Sequence, residues 1–579
     1  MLTHKIIRYV SVLSSVVLCA ACDYVGIVGD RIPVEGMDTY AEWDIGGTTL
    51  SGAFGTLVEI PLQREYVLHY KSGTLKGELA GSLRLGEYAD AMPSEWPIEN
   101  YGDARFIFDQ DNSSVRMVLG NIDYTRPHAL TILYKEKNRY GYAHFILVPQ
   151  NEQLLPKIDS QGVCAVISDI HLNDYRAQIY GHSWFIENKD LLISYLDYLI
   201  ANAKRYRELV LLGDVFDEYV TPIPLLTFAD IAYNPMTESE YIRGIAEHNQ
   251  PVIDRLKAVQ DAGITLVYVP GNHDMGATEA DIRAIFGDRV VQARDVPGLG
   301  TYIPDYAPSV VMEHSHRYDV MCAPDPLSNI GIDSVNADNA FLPAGYFTTR
   351  IGASYAIYGR KKTDLSYYNL SASDLTNTRK SGIDAGNLSI LKAVWSVVSI
   401  AKPLDNLSST PIPTGLNGLT ADYTLYDYSF LGKANPVLYS TMYKQSEWEQ
   451  RLERNHAPKD FPFVLGAVFC EVPDIHYLTA VAAYGDDASK RVVVFGHTHQ
   501  PELSIRRAKG AAHSFVYANS GSWVDKKACT YDVGTYVEIY SGIDGYERVA
   551  LRQWTGDGYR TEAPALWVKT TRNTSGNDN

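Results

Sequence analysis

The chain has 579 residues, 46% of them hydrophobic and 21% charged, with no long low-complexity run. That composition excludes a disordered or fibrous protein, and the length exceeds one ordinary core, so two or three domains are expected. Lysine and arginine number 51 against 69 aspartates and glutamates, and the net charge of −18 argues against a stable nucleic-acid partner.

Lys5 and Arg8 precede a short apolar stretch, Tyr9 to Ala21. The run is too short to cross a bilayer as a helix and reads as an export signal over residues 1–21. Leu18-Cys19-Ala20-Ala21-Cys22 resembles the lipobox of bacterial lipoproteins, with Cys19 where an aliphatic residue is common. That resemblance implies lipidation of Cys22 and a tether to a membrane of the bacterial cell envelope, without a span; plain secretion is the alternative. Only Cys164, Cys322, Cys470 and Cys529 follow, without C-x-x-C spacing, so neither a disulfide scaffold nor a thiolate zinc site is indicated.

From residue 23 to 150 short alternating segments are broken by Gly, Asn and Pro: Thr56 to Ile60, Tyr66 to Tyr70, Ser114 to Leu119, Ala129 to Tyr134 and Tyr142 to Val148. This predicts a small all-β domain. At Val163 the texture changes to apolar strands alternating with amphipathic helices, the pattern of a layered α/β domain over 161–525. Strands are predicted at Val163 to Ser168, Glu208 to Leu212, Ile264 to Val269, Ser309 to Met312, Val492 to Phe495 and Ser514 to Ala518. Helices are predicted at Lys189 to Arg205 and Glu240 to Ala262, the second with a break at Pro251 and a stop at Gly263. Residues 323–490 interrupt the rhythm with a helix candidate, Leu388 to Ala401, and Tyr-rich loops, and read as an insertion that caps the site. The tail, 526–579, offers a further strand, Thr535 to Ile539, and then a polar, disordered end.

Five polar motifs follow the apolar strands directly: Asp169-Ile170-His171, Gly213-Asp214-Val215-Phe216-Asp217, Gly271-Asn272-His273-Asp274, His314-Ser315-His316 and Gly496-His497-Thr498-His499. Strand ends on one edge of an α/β sheet share a crevice, so residues far apart in sequence can converge there. Hard oxygens mixed with imidazoles suit Mn, Fe or Zn. Such a set is too large for one ion and right for two divalent metal ions if one carboxylate bridges. Taken singly, Asp169 or Asp214 would more often be a cap, and Gly271-Asn272 an ordinary turn. Six of the fifteen histidines fall in these motifs, which makes coincidence the weaker explanation.

Together the motifs resemble the calcineurin-like metallophosphoesterase superfamily, and Asn519-Ser520-Gly521-Ser522-Trp523 resembles a strand end common in that family. The resemblance spans Val163 to Val320 and Arg491 to Trp523. It implies a layered β-sheet core with flanking helices and a dinuclear centre whose bridging hydroxide attacks phosphorus. Asp169, His171 and His499 would bind one metal, Asn272, His314 and His497 the other, and Asp214 both. His273 would be the general acid, with Asp274 orienting it. Ser315 departs from the usual glycine and leaves His316 as an alternative ligand to His314. The implied activity is phosphatase or phosphodiesterase turnover of a phosphorylated small molecule or lipid. The stretches around Asp169 and His497 also resemble UDP-2,3-diacylglucosamine hydrolases, which tend to carry Arg where this chain has His273. A non-catalytic envelope scaffold is the remaining alternative, which the full ligand set disfavours.

Overall fold

The computed structural model describes residues 43–570 apart from 85–103, 218–237, most of 325–444, 462–475 and shorter loop segments. The export signal, Cys22, the candidate helix at Leu388 to Ala401 and the final residues 571–579 lie outside the described residues. Among the described residues no helix is long and apolar enough to cross a membrane.

Every strand read from the alternating N-terminal pattern forms. The ones that matter for the site's support are β1 (Thr56–Pro61), β2 (His128–Glu136) and β3 (Arg139–Val148). The α/β part then runs β4 (Val163–Ile167), α1 (Lys189–Ala201), β5 (Tyr206–Leu212), α2 (Glu238–His248), α3 (Gln250–Asp261), β6 (Thr265–Val269), α4 (Glu279–Phe286) and β7 (Val310–Glu313). Within the stretch read as the insertion come α5 (Gln445–Arg454) and α6 (Tyr477–Tyr484), and after it β8 (Val492–Phe495), β9 (Phe515–Asn519), β10 (Thr535–Ile543), β11 (Tyr546–Trp554) and β12 (Leu566–Lys569).

Two differences from the sequence reading have local causes. Helix α1 ends at Ala201 rather than Arg205, because residues 202–205 must turn to bring Tyr206 beside Val163. The second helix is two: the chain breaks at Asn249, and Pro251 sits in the first turn of α3, where its missing N–H costs nothing. Gly263 follows with φ +94°, the left-handed turn expected of a helix stop.

The fold is mixed α/β, with two sheets back to back and helices on both outer faces. In the first sheet β6, β5 and β4 are parallel neighbours; β10, β11 and β12 continue antiparallel from β4, and β12 pairs with β1, which pairs with β3. In the second, β7, β8 and β9 are parallel. The period of two sorts the side chains into layers. Val163, Ala165 and Ile167 face helices α1 to α4, whereas Cys164 and Val166 face the second sheet through Val310, Met312, Val492 and Val494. The outer side of that sheet, Val311, Val493 and Phe495, is covered by Trp448, Leu452 and Leu478 of α5 and α6.

The first sheet runs through the boundaries expected near 150 and 526: β1 and β3 come from the expected β domain, and β10 to β12 from the expected tail. Polar residues on these strands form a largely buried ionic network. Arg548 holds Glu59 in a two-pronged pair, with one arm at 2.8 Å, and Arg552 joins Glu152 at 2.7 Å and Glu538 at 2.7 Å. Tyr206 and Tyr540 also donate to Glu538, at 2.5 and 3.0 Å, and Trp567 to Glu59 at 2.7 Å.

One member of this network makes a pH prediction. Burial alone would raise the pKa of Glu152, but the Arg552 and Arg548 charges outweigh it and hold it at about 2 instead of 4.5. A depressed carboxyl pKa contributes stability above the unfolded value that is lost as pH falls through the folded one. Glu152→Gln is therefore expected to cost on the order of 2 kcal/mol at neutral pH, after allowance for its partial exposure. The gap between variant and parent in unfolding free energy should close as pH falls from 4.5 toward 2; a gap unchanged over that window would contradict the pairing.

Candidate metal centre

The six strands β4, β5, β6, β7, β8 and β9 end at one place, and each delivers polar residues there. Asp169 and His171 follow β4, Asp214 follows β5, Asn272 and His273 follow β6, His314 follows β7, His497 and His499 follow β8, and Ser520 follows β9. Five of the seven expected ligands have left-handed backbone: Asp169 (φ 53°), His171 (57°), Asp214 (52°), His497 (73°) and His499 (61°). Non-glycine residues adopt that conformation at a cost, and such outliers concentrate where side chains are aimed for function. Ser315, at φ 81°, occupies the same region, which is why glycine would suit that position better. Close approach adds a second constraint: a Cβ on Gly271 would lie 2.2 Å from Asp214 Oδ1, so only glycine lets these two loops meet.

The side chains converge in two adjoining groups, Asp169–His171–His499 and Asp214–His314–His497. His171 Nε2 and His499 Nε2 are 3.0 Å apart, and His499 Nε2 is 3.3 Å from Asp169 Oδ1. His314 Nε2 lies 3.2 Å from Asp214 Oδ2 and 3.2 Å from Asn272 Oδ1. Asp214 Oδ2 is also 3.6 Å from His171 Nε2, so this one oxygen stands between the groups.

The outward atoms of the same side chains are tied to the framework. Asp169 Oδ2 accepts the His497 N–H at 3.0 Å and a bond from Ser168, which in turn contacts Ser520 at 2.6 Å. Asp214 Oδ1 accepts the His273 N–H at 2.8 Å. His314 Nδ1 donates to the Leu212 carbonyl at 2.8 Å and His171 Nδ1 to Asp217 at 3.1 Å, leaving Nε2 of each as the basic nitrogen turned inward. His316, the alternative to His314, bonds the Gly298 carbonyl at 2.9 Å on the far side of Ser315 and belongs to neither group.

Electrostatics point the same way. Burial opposes charge on Asp214, but His314 and His273 beside it hold the carboxyl well below its usual range. Burial likewise disfavours a charged His314, yet the Asp214 and Asp169 carboxylates push its pKa up to about 9. His499, against Asp169, is pushed up to about 10 despite burial. Carboxylates that raise the pKa of His314 and His499 against the effect of burial make a cluster that favours cations, whereas on His171 burial prevails and lowers the pKa. Asp169 Oδ1 is buried with no hydrogen-bond partner, and two imidazole nitrogens face each other beside it. Buried carboxylate oxygens are rarely left so. The set of hard oxygens and imidazoles is geometrically able to hold metal ions, and its chemistry suits Mn, Fe or Zn.

One expected role is corrected. The Asp274 carboxylate is engaged by backbone: it accepts the N–H groups of Gly271 (2.7 Å), Val215 (2.8 Å) and Phe216 (3.2 Å). It is fully buried and staples the β5 and β6 loops together, and burial with the nearby Asp214 charge raises its pKa to about 6. The residue that orients His273 is Asp217, with Oδ1 2.7 Å from His273 Nδ1 while Oδ2 serves His171. Burial works against a charged His273, but Asp217 and Asp214 raise its pKa. Asp217 lies inside the second motif, at a spacing that carried the signal. Two further neighbours had none: Trp184, whose ring centroid is 4.9 Å from that of His171 and 5.7 Å from that of His273, and Asp319, 2.9 Å from His497 Nε2. Neither a protein-family model nor a curated protein matches the chain.

Proposed function

We propose that this chain is a metal-dependent phosphoester hydrolase of the calcineurin-like metallophosphoesterase type. The observation that carries the reading is the convergence of Asp169, His171, Asp214, His314, His497 and His499 from strand ends on two adjoining groups, with Asn272 beside His314, around a buried Asp169 oxygen that accepts no hydrogen bond. Asp169, His171 and His499 would hold one divalent ion, Asn272, His314 and His497 the second, and Asp214 both. A pair of such ions supplies positive charge to phosphoryl oxygens and makes water a nucleophile near neutral pH.

The chain's own residues do the rest. Asp217 accepts from Nδ1 of His273 and so turns Nε2 toward the reacting centre, where it would hand a proton to the leaving oxygen. Its raised pKa keeps that proton in place until it is needed. Trp184, buried beside three of the histidines, closes one wall against water. The substrate class is a phosphorylated small molecule or lipid, and a lipidated Cys22 would hold the enzyme at the envelope membrane where such substrates lie. The test is turnover of aryl phosphate mono- and diesters. Activity should appear with Mn²⁺, vanish with a chelator and return when Mn²⁺ is restored; activity indifferent to chelation would overturn the reading.

A further inference from the structure

Beside the second group of ligands lies a carboxylate outside all five motifs. Asp319 is 1% exposed and sits five residues beyond His314, on the turn that follows β7. Its two oxygens have separate partners: Oδ2 lies 2.9 Å from His497 Nε2, and Oδ1 accepts the Met321 N–H at 2.7 Å. Its own carbonyl accepts from Cys322 at 3.1 Å and Ala323 at 2.7 Å.

The turn is braced from a distant part of the chain. Arg451 of α5, fully buried, donates to the carbonyls of Val320 at 2.9 Å, Pro324 at 3.1 Å and Ala323. Asn455 adds a bond to Pro324 at 2.8 Å. Helix α5, inside the stretch read as the insertion, therefore braces the turn that carries the residue touching His497. Without the guanidinium, the carbonyls of Val320 and Ala323 would lose this buried donor, while Pro324 would keep the Asn455 amide, and the turn would loosen.

A neutral imidazole has one donor and one acceptor nitrogen, and the stronger acceptor nearby decides which is which. A carboxylate at 2.9 Å fixes the proton of His497 on Nε2 and its lone pair on Nδ1. His314, in the same group, is set the opposite way by the Leu212 carbonyl, with Nδ1 protonated and Nε2 turned inward. We infer that Asp319 is a positioning residue of the metal centre: it makes Nδ1 the ligating nitrogen of His497, and Arg451 holds it in place from α5, within the insertion. The inference rests on the dinuclear reading above and adds to it a residue, a ligating atom and a mechanical link to the insertion.

The decisive variant is Asp319→Asn. The Met321 N–H keeps an oxygen opposite it, so the new amide nitrogen faces His497 and donates to Nε2. The imidazole proton then moves to Nδ1, the tautomer that cannot ligate there. In calorimetric titration of the chelator-stripped full chain with Mn²⁺, the parent should take up two ions. Asp319→Asn should bind one of them about 10–100-fold more weakly and leave the other unchanged, with kcat recovering at high Mn²⁺. A general folding defect would instead lower the metal-free melting temperature and both affinities together. Cys322→Ser, altering the neighbouring thiol, should bind both ions as the parent does; weakening equal to that of Asp319→Asn would make Asp319, Cys322 and His497 a metal site of their own and overturn the proposal. Two ions bound at parental affinity by folded Asp319→Asn would overturn it too, while leaving the dinuclear reading intact. A parent that binds no Mn²⁺ removes both. Should the variant fail to fold, ¹⁵N-histidine spectra of the metal-free parent, with His497 assigned by its loss in His497→Gln, decide the matter: a proton on Nε2 is expected, and one on Nδ1 contradicts the assignment.

Discussion

Asp214→Asn is expected to lower turnover roughly a thousandfold and to reduce bound metal from two ions to one or none. The two oxygens of Asp214 do different work. Oδ1 accepts the His273 N–H at 2.8 Å, which an asparagine oxygen can still do, so the loop that carries His273 should survive. Oδ2 stands 3.2 Å from His314 Nε2 and 3.6 Å from His171 Nε2, and there the variant places an NH₂ group without charge. That group can neither bridge two cations nor offset their mutual repulsion. Removing the carboxylate also removes the charge that draws positive charge onto His314. The fold should tolerate the change, since the neighbouring Asp274 staple is untouched. Metal analysis of the purified variant beside turnover separates loss of the centre from loss of chemistry alone; parental turnover with two ions would contradict the bridging role.

His273→Gln is expected to act on chemistry without emptying the centre. Its side chain groups with Asp217, at 2.7 Å, and with His171 rather than with the Asp169 and Asp214 carboxylates. General-acid assistance contributes about 10²–10⁴-fold, and it matters most when the leaving oxygen is a poor one. The loss should therefore be roughly a hundredfold or more with alkyl phosphates and small with nitrophenyl esters, whose leaving groups need no proton. Asp217→Asn should follow the same leaving-group trend, because it disturbs the proton on His273 Nδ1. The two changes should combine to less than the sum of their separate effects, as residues acting through one bond do. Equal losses across good and poor leaving groups would contradict the proton-donor role.

Much of this site is legible in the sequence because two simple rules coincide in it. Apolar runs of four to seven residues mark buried parallel strands, and the polar residue that ends each run lands on the common edge, so Asp169, Asp214, Asn272, His314 and His497 could be placed together before any coordinates. What the pattern cannot carry is pairing at long range. Nothing local in Leu566–Lys569 says that it lies beside Thr56–Pro61, and Glu59, Glu538, Arg548 and Arg552 alternate along their strands as surface residues do. Their burial follows only once the charges are matched across hundreds of residues. Asp274 and Asp217 show the same limit at short range: both stand in motifs, and only the loop geometry decides that one holds backbone and the other holds His273. Asp319 meets His497 across 178 positions and has no motif at all.

The central claim is that the two adjoining groups of aspartate and histidine hold two metal ions. The most direct measurement is the metal content of the full chain after equilibration with Mn²⁺ and removal of the excess, read by elemental analysis against protein concentration. Two ions per chain, falling to one or fewer in Asp214→Asn, is the predicted result. A folded parent chain that retains no metal would contradict the claim, whatever its activity.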